Sequence, residues 1–340
     1  MRAVLYSEPL TYSIRDLADR ALQPGEVRLA VLRVGVCGTD LHLHRGHFGA
    51  RYPHTPGHEI VGEVAEIAHG VGGFVVGDRV VVEDGVYCGM CGACKAGKSL
   101  YCANIRALGV SLPGGTAEQL VVPAMKCYPV GPLEPDIAVL AEPLACVIHA
   151  MDRLAMPPGA RVLVLGAGTA GQLLAVMARR NGAAHVTVAG SSEFKLGIAQ
   201  ELGADRTIAI TREPGAALHA MTAAEPEGFD VVIDATGAVP MLETAIEAAS
   251  VGGTILVYGV AEADKRISVS PFDIFKRELT IMGSYAQALN IGRAVTYLGT
   301  LPPTIGRLIT HRFRLADYGL AIDALGSSEC IKAIVVPGDR

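Results

Sequence analysis

Four cysteines stand at Cys88, Cys91, Cys94 and Cys102, a C-x2-C-x2-C-x7-C spacing. Thiolates hold zinc at about 2.3 Å, and a closed shell of four thiolates is the chemistry of a structural rather than a catalytic metal. A lobe stapled in this way directs attention to a second metal site with an open position. Its candidate ligands lie in the same N-terminal stretch. Cys37-Gly-Thr39-Asp40-Leu-His42 follows an apolar run, Gly57-His58-Glu59 comes twenty residues later, and Ala141-Glu142-Pro143 closes the stretch. A lone cysteine in a core is ordinarily a packing residue. A thiolate, an imidazole and two carboxylates in one stretch form a ligand set. Cys127, Cys146 and Cys330 lack such spacing and read as core residues.

A second constellation is Gly166-Ala-Gly168-Thr169-Ala170-Gly171, directly after the apolar run Arg161-Val-Leu-Val-Leu and at the start of an apolar helix. In a strand–turn–helix setting this fingerprint binds a dinucleotide. Gly166 permits the turn, Gly168 lets the backbone approach a pyrophosphate, and Gly171 lets helix and strand pack closely. The helix N-terminus adds bare N–H groups and partial positive charge. An acid at the tip of the next strand binds the ribose 2′-OH in NAD sites. Here that strand ends Val188-Ala-Gly190-Ser191-Ser192, with Glu193 next. The absence of an acid at the tip admits a 2′-phosphate, Ser191 and Ser192 can donate hydrogen bonds to it, and Lys195 adds charge. The turn therefore favours NADP; loose NAD specificity, or Glu193 reaching back to the ribose, is the alternative. Thr236, Gly259 and Ser284 complete the expected cofactor-binding set.

These residues need two kinds of scaffold. Up to about residue 130 the chain is a series of short apolar runs cut by Gly and Pro, such as Val27 to Val34 and Arg79 to Glu83. That texture predicts a mostly β lobe of barrel type. From about residue 160 strands and helices alternate. Strands are expected over 161–165, 185–189, 207–210, 230–234 and 254–258, and helices over 172–180, 195–202 and 241–249. Such alternation predicts a doubly wound parallel sheet, so the fold class is α/β. After about residue 283 the pattern is irregular and ends in the strand-like Ile331 to Val336, which folds back onto the first lobe. The expected domains are 1–146, with the cysteine lobe at 88–102, then 147–282 for the dinucleotide, and 283–340 as a return to the first.

Bulk properties narrow the function classes. A chain of 340 residues suits two domains. A formal net charge of −5 without a basic block argues against nucleic acid or an anionic membrane as partner. No apolar stretch reaches the roughly 18 residues of a membrane span. The opening Met1-Arg-Ala-Val-Leu-Tyr runs straight into a strand pattern, without the architecture of a secretory signal. Metal-spaced thiolates suit a reducing compartment, so the cytoplasm is expected.

The GHE-x2-G-x5-A-x2-V pattern from Gly57 to Val71, the C-G-T-D-x-H box at Cys37, the four-cysteine lobe and the glycine fingerprint stand in the order of the zinc-containing medium-chain alcohol dehydrogenases. The chain resembles that family from end to end. The resemblance implies a GroES-like catalytic domain, a Rossmann domain, two Zn2+ per chain, NAD(P) and a small alcohol or ketone as substrate. It also implies a homodimer or homotetramer in which the strand Gly253 to Gly259 pairs across a two-fold axis. Cys37 and His58 are then ligands of the catalytic zinc. The third ligand of the family is often a cysteine, but Glu142 occupies its place here, as in the polyol, threonine and bacterial secondary-alcohol branches. In those branches Glu59 can also coordinate, and the two carboxylates alternate. Thr39 takes the alcohol proton and passes it by the cofactor ribose to His42, whose imidazole titrates near pH 6.5 when unperturbed. Asp40 orients the zinc-bound histidine.

His44, His47, Phe48 and Tyr52 follow the relay box, and Glu83-Asp84 precede the cysteine lobe. Carboxylates there can accept hydrogen bonds from several hydroxyls, which points to a polyhydroxylated substrate; the plainer reading is solvated loop charge. A sugar alcohol or related secondary alcohol is therefore expected. A threonine-type dehydrogenase is the runner-up and needs a cation for the substrate carboxylate, for which Arg45 and Arg51 are the nearby candidates. A non-catalytic NADPH-binding protein on the same fold is the third reading.

Overall fold

The computed structural model describes residues 1–47, 51–211 and 215–338; Phe48 lies outside them. The chain divides into two compact units, Met1–Ala145 with Gln287–Arg340, and Cys146–Ala286.

The first unit is built around a seven-stranded sheet. Its order is Ile309–Arg314, Lys332–Val336, Glu26–Val36, Glu59–Ile67, Arg79–Val82 and Cys127–Pro129, with Gln119–Pro123 also pairing with Glu26–Val36. Alternation along the strands sends Val27, Leu29, Val31 and Val34 into one core with Ile60, Val64, Val80 and Val82. The register sets the chemistry. Gly35 lies opposite Glu59 on one side and Ile334 on the other, so the end of the long central strand meets both the Gly57-His58-Glu59 segment and the strand that begins at Lys332. Cys37 follows immediately and caps the short helix Gly38–His44. The return segment is less irregular than its sequence pattern suggests. It contains the helices Ile291–Leu298 and Tyr318–Ala324, of 8 and 7 residues, too short to display a clear helical period.

The second unit holds a six-stranded, all-parallel sheet. The strands run Arg206–Ala209, His185–Gly190, Arg161–Leu165, Phe229–Asp234, Ala249–Val257 and Thr280–Gly283 across the sheet, a 3-2-1-4-5-6 order. Helices Thr169–Arg180, Glu193–Glu201 and Val239–Ala248 fall where the alternation predicts them. The strand Thr280–Gly283 escaped notice because most of its side chains are exposed, so it has no buried apolar run. Its presence corrects the expected dimer contact. The strand Ala249–Val257, with most of the Gly253 to Gly259 stretch, is paired on both sides and has no edge to offer. Among the described residues the sheet edge on that side is Thr280–Gly283.

At the base of this sheet Arg161 ties neighbouring strands together, its Nη2 and Nε donating to Asp230 at 2.8 and 3.1 Å. That hydrogen-bonded guanidinium holds the Asp230 carboxyl below its ordinary value. An acid whose pKa is lower folded than unfolded adds stability above its unfolded pKa and loses it as pH falls through the folded one. Asp230→Asn should therefore unfold at lower urea than wild type by a constant margin from pH 8 to about 4, with the margin closing below that. A margin independent of pH down to complete acid unfolding would refute the pairing.

Candidate active site

Three donor atoms converge where the strands of the first unit meet. Cys37 Sγ lies 3.1 Å from His58 Nε2. The ligand atoms of Cys37, His58 and Glu59 all fall within 4.8 Å of one another. A tetrahedral zinc with ordinary bond lengths separates sulfur and imidazole nitrogen by about 3.5 Å, so the pair suits a shared divalent cation. Glu142 is not in this tight group, although its negative charge acts on both His58 and Lys332.

The surrounding side chains fix the donors. Asp40 is buried, accepts from the Cys37 backbone N–H at 2.9 Å through Oδ2, and sets Oδ1 3.9 Å from His58 Nδ1. Both of those facing atoms lack a hydrogen-bond partner among the described residues. At 3.9 Å the two face each other beyond hydrogen-bond distance, leaving the His58 Nε2 directed at Cys37. Burial raises the Asp40 carboxyl above its usual range, and the neighbouring His58 opposes that rise.

Sequence reasoning missed Lys332. Its ammonium is 1 % exposed and donates to Glu59 Oε1 at 2.6 Å and to the Val36 carbonyl at 3.3 Å. Burial alone would lower its pKa, but the charges of Glu59 and Cys37 hold it above the ordinary value. Gly35 was missed as well. A Cβ there would sit 1.7 Å from Glu59 Oε2, so only glycine leaves room for the carboxylate. The signal for both was the strand pattern, but which residues face each other depends on register between strands, for Lys332 and Glu59 across 273 positions.

Thr39 and His42 lie on the Gly38–His44 helix. His42 Nδ1 is 3.2 Å from Nδ1 of the exposed His47, an imidazole pair in which one ring donates and the other accepts. His44 is engaged elsewhere, through Tyr6 Oη at 2.8 Å, and Tyr52 Oη donates to the Leu43 carbonyl. Those two residues anchor the helix.

The two acids before the cysteine lobe part ways. Glu83 is not a solvated charge: it is 2 % exposed, with Lys126 Nζ at 3.2 Å and Tyr128 Oη at 3.3 Å. Asp84 is partly open and accepts from Gln287 Nε2 at 3.3 Å. Burial raises its carboxyl, and His58 is the first of the charges that pull it back.

Cys88, Cys91, Cys94 and Cys102 form their own cluster, all four sulfurs within 4.8 Å of one another. Cys88 Sγ and Cys102 Sγ are 3.5 Å apart, close to the roughly 3.8 Å edge of a tetrahedral zinc–thiolate site. Backbone N–H groups of Met90 and Cys91 lower the Cys88 thiol to about 6, and the N–H groups of Cys88 and Asn104 point at Cys102 Sγ. Cys91 is lowered as well, by the N–H groups of Cys94 and Ala103, whereas burial pushes the Cys94 thiol up to about 12.

In the second unit the expected cofactor residues gather at one edge of the parallel sheet, the C-terminal ends of its strands, where open α/β sheets bind ligands. Gly166 has φ +103° after the Arg161–Leu165 strand, Gly168 caps the Thr169–Arg180 helix, and Thr169 and Ala170 form its first turn. A Cβ on Gly171 would lie 1.8 Å from the Gly166 carbonyl oxygen, so the close packing of that turn requires glycine. Gly190 ends the His185–Gly190 strand. Ser191 is exposed, while Ser192 is buried and caps the next helix by accepting from Lys195 N at 3.3 Å. Thr236 N–H and Oγ1 both donate to Asp234, whose carbonyl accepts from Gly259 N at 2.8 Å. Ser284 follows the last strand, and its buried Oγ has no hydrogen-bond partner among the described residues. Gln172 was not foreseen; its amide bridges the Ala167 and Lys195 carbonyls at 3.2 and 2.8 Å and stitches the turn to the next helix.

Comparison with known proteins agrees with this chemistry. Residues 23–132 match the alcohol dehydrogenase GroES-like domain family, and residues 170–297 match the zinc-binding dehydrogenase family. The chain is 37% identical to D-arabinitol dehydrogenase 1 of Uromyces fabae, over 99% of this chain and 97% of that protein. It is 38% identical to D-altritol 5-dehydrogenase of Agrobacterium fabrum, over 93% of this chain and 94% of that protein. A zinc-binding dehydrogenase from Sinorhizobium meliloti, solved with NADP, superposes with a TM-score of 0.93 at 31% identity, covering 99% of both chains. No helix among the described residues is long and apolar enough to cross a membrane. A GroES-like unit with a compact Cys–His–Glu donor set, a four-cysteine lobe, a glycine-turn parallel sheet and these matches together place the chain in the zinc-containing medium-chain alcohol dehydrogenase family.

Proposed function

We propose that the chain is a zinc-dependent polyol dehydrogenase that oxidises a secondary carbinol of a sugar alcohol or related alcohol to the ketone, with NADP preferred over NAD, and catalyses the reverse. The observation that carries this reading is the 3.1 Å approach of Cys37 Sγ and His58 Nε2 beside the Glu59 carboxylate. The relatives named for D-arabinitol and D-altritol support the polyol class.

Cys37, His58 and a carboxylate would hold the catalytic zinc, and Cys88, Cys91, Cys94 and Cys102 a structural one. Because Lys332 engages Glu59, Glu142 is the better resting third ligand and Glu59 the exchangeable one. When bound there, zinc would supply Lewis acidity for an alcohol oxygen and NADP would supply the acceptor for a hydride. The protein's own side chains handle the proton. Thr39 takes it from the substrate hydroxyl, His42 carries it outward, and His47 offers the next acceptor before bulk water. Asp40 would orient the His58 ring. Gly166, Gly168, Thr169, Ala170 and Gly171 would cradle the pyrophosphate, and Ser191, Ser192 and Lys195 the 2′-phosphate beside Gly190. The Thr280–Gly283 sheet edge, which a second copy would cover, supports a homodimer or homotetramer. The thiolate-rich metal sites suit the cytoplasm.

Zinc content per chain and initial rates with pentitols, hexitols, 2-pentanol and threonine, each with NAD and NADP, test the reading. Two zinc per chain, polyol turnover and a higher kcat/KM with NADP are expected. One zinc, or turnover confined to threonine or simple alcohols, overturns it. Gly190→Asp should shift the cofactor ratio toward NAD by roughly 10-fold or more, because a carboxylate at the strand tip repels a 2′-phosphate and accepts from a ribose 2′-OH. Its new Cβ would lie 3.0 Å from Ala167 Cβ, which a small local shift accommodates.

A further inference from the structure

Glu83 and Asp84 are neighbours in sequence but not in role. Glu83 turns into the core, where Lys126 and Tyr128 satisfy it, and Lys126 lies 5.0 Å from the Tyr87 ring centroid. The Asp84 carbonyl accepts from Leu108 N at 3.0 Å, and the next residue, Gly109, packs against the Gly57–His58 backbone, which sets Asp84 close to the metal-ligand candidate His58.

Asp84 is also positioned from a distant part of the chain. Gln287 Nε2 donates to its Oδ1 at 3.3 Å, and Gln287 Oε1 accepts from Asn290 N at 3.2 Å. The segment that delivers Gln287 is strained. Ala286 and Leu289, on either side of it, have φ of +48° and +57°, a region costly for residues with a Cβ. Strain of this kind persists where surrounding structure over-determines it, and it clusters at functional sites. Beside Gln287, the buried Asn290 Nδ2 has no hydrogen-bond partner among the described residues. The result is one partly open carboxylate, with acceptor capacity left over, on a residue close to the metal-ligand candidates.

We propose that Asp84, oriented by Gln287, recognises a substrate hydroxyl next to the reacting carbinol and so selects polyols over monohydric secondary alcohols. This rests on the polyol reading above. A carboxylate accepts from hydroxyls but offers nothing to an alkyl chain, and a site built to hydrogen-bond a hydroxyl leaves its own polar group unpaired when an analogue lacks it. Discrimination therefore comes from both sides: a charge-assisted bond gained with the polyol, and an unpaired carboxylate when the neighbouring carbon bears only hydrogen.

The test compares kcat/KM for arabinitol, xylitol and ribitol with that for 2-pentanol, a five-carbon alcohol without the extra hydroxyls, using the zinc-loaded enzyme. In Asp84→Ala the pentitol-to-2-pentanol ratio should fall roughly 10- to 100-fold, the range of a hydrogen bond to a charged group. Gln287→Ala should lower the same ratio by a smaller factor, mainly through KM for the pentitol. Zinc content and the thermal unfolding midpoint serve as fold controls, and should Asp84→Ala not fold, Asp84→Asn replaces it, with a fall of at least threefold expected because the charge is lost while the shape is kept. A ratio that moves less than threefold in the folded Asp84 variant overturns this proposal and leaves the polyol reading standing. A wild-type enzyme that oxidises 2-pentanol but none of the pentitols overturns the polyol reading, and this proposal with it.

Discussion

Lys332→Met is expected to lose about 3–5 kcal/mol of stability, because it leaves the Glu59 carboxylate buried without its cation. Glu59 and Lys332 are each 1 % exposed, so water cannot replace the lost partner. The double variant Lys332→Met with Glu59→Gln should regain most of the loss, since removing both charges avoids the unpaired one. Urea unfolding in the presence of a chelator measures both, since a bound zinc would itself partner the Glu59 carboxylate. A loss below about 1 kcal/mol in the single variant would mean that Glu59 finds another partner or takes up a proton, and the clamp described here would have to be abandoned.

The largest effect on turnover should come from His58→Ala. It removes one of the donors that converge at the end of the central strand, and the expected result is one zinc per chain instead of two. Lewis-acid stabilisation is worth several kcal/mol, so kcat/KM should fall by about 10³-fold or more. The affinity for NADPH, measured by fluorescence, should stay within a few-fold of wild type, because the expected nucleotide residues all lie in the other unit. Retention of both zincs with a modest loss of rate would show that this imidazole is not a ligand.

Much of this site could be read from residue types and spacing. The clustering of Cys88 to Cys102 is legible because all four lie in one short segment, and the turn from Gly166 to Gly171 is legible because strand, turn and helix are contiguous. Cys37 and His58 were legible because each sits in a short patterned box. What escaped was whatever depends on pairing between distant segments. Lys332 and Glu59 are 273 positions apart, and Gln287 and Asp84 are 203 apart. Neither partner carries a local signal of the other. Glu83 and Asp84 looked equivalent as a dipeptide, and only the neighbours on each face separate a core ion pair from an open carboxylate. The misassigned sheet edge has the same origin: Thr280–Gly283 is short and mostly exposed, so nothing in its composition competes with the strongly apolar strand before it.

The unit that carries the metal-ligand candidates is interrupted in sequence by the other, whose six strands all come from one continuous segment, Cys146–Ala286. During synthesis the inserted unit can complete its sheet while the first still lacks the strand bearing Lys332. Until that strand docks beside Val34–Val36, Glu59 has no counter-ion and the donor cluster has no closed floor. The ion pair that holds Glu59 is thus a late contact, since its cation is made only after the whole inserted unit.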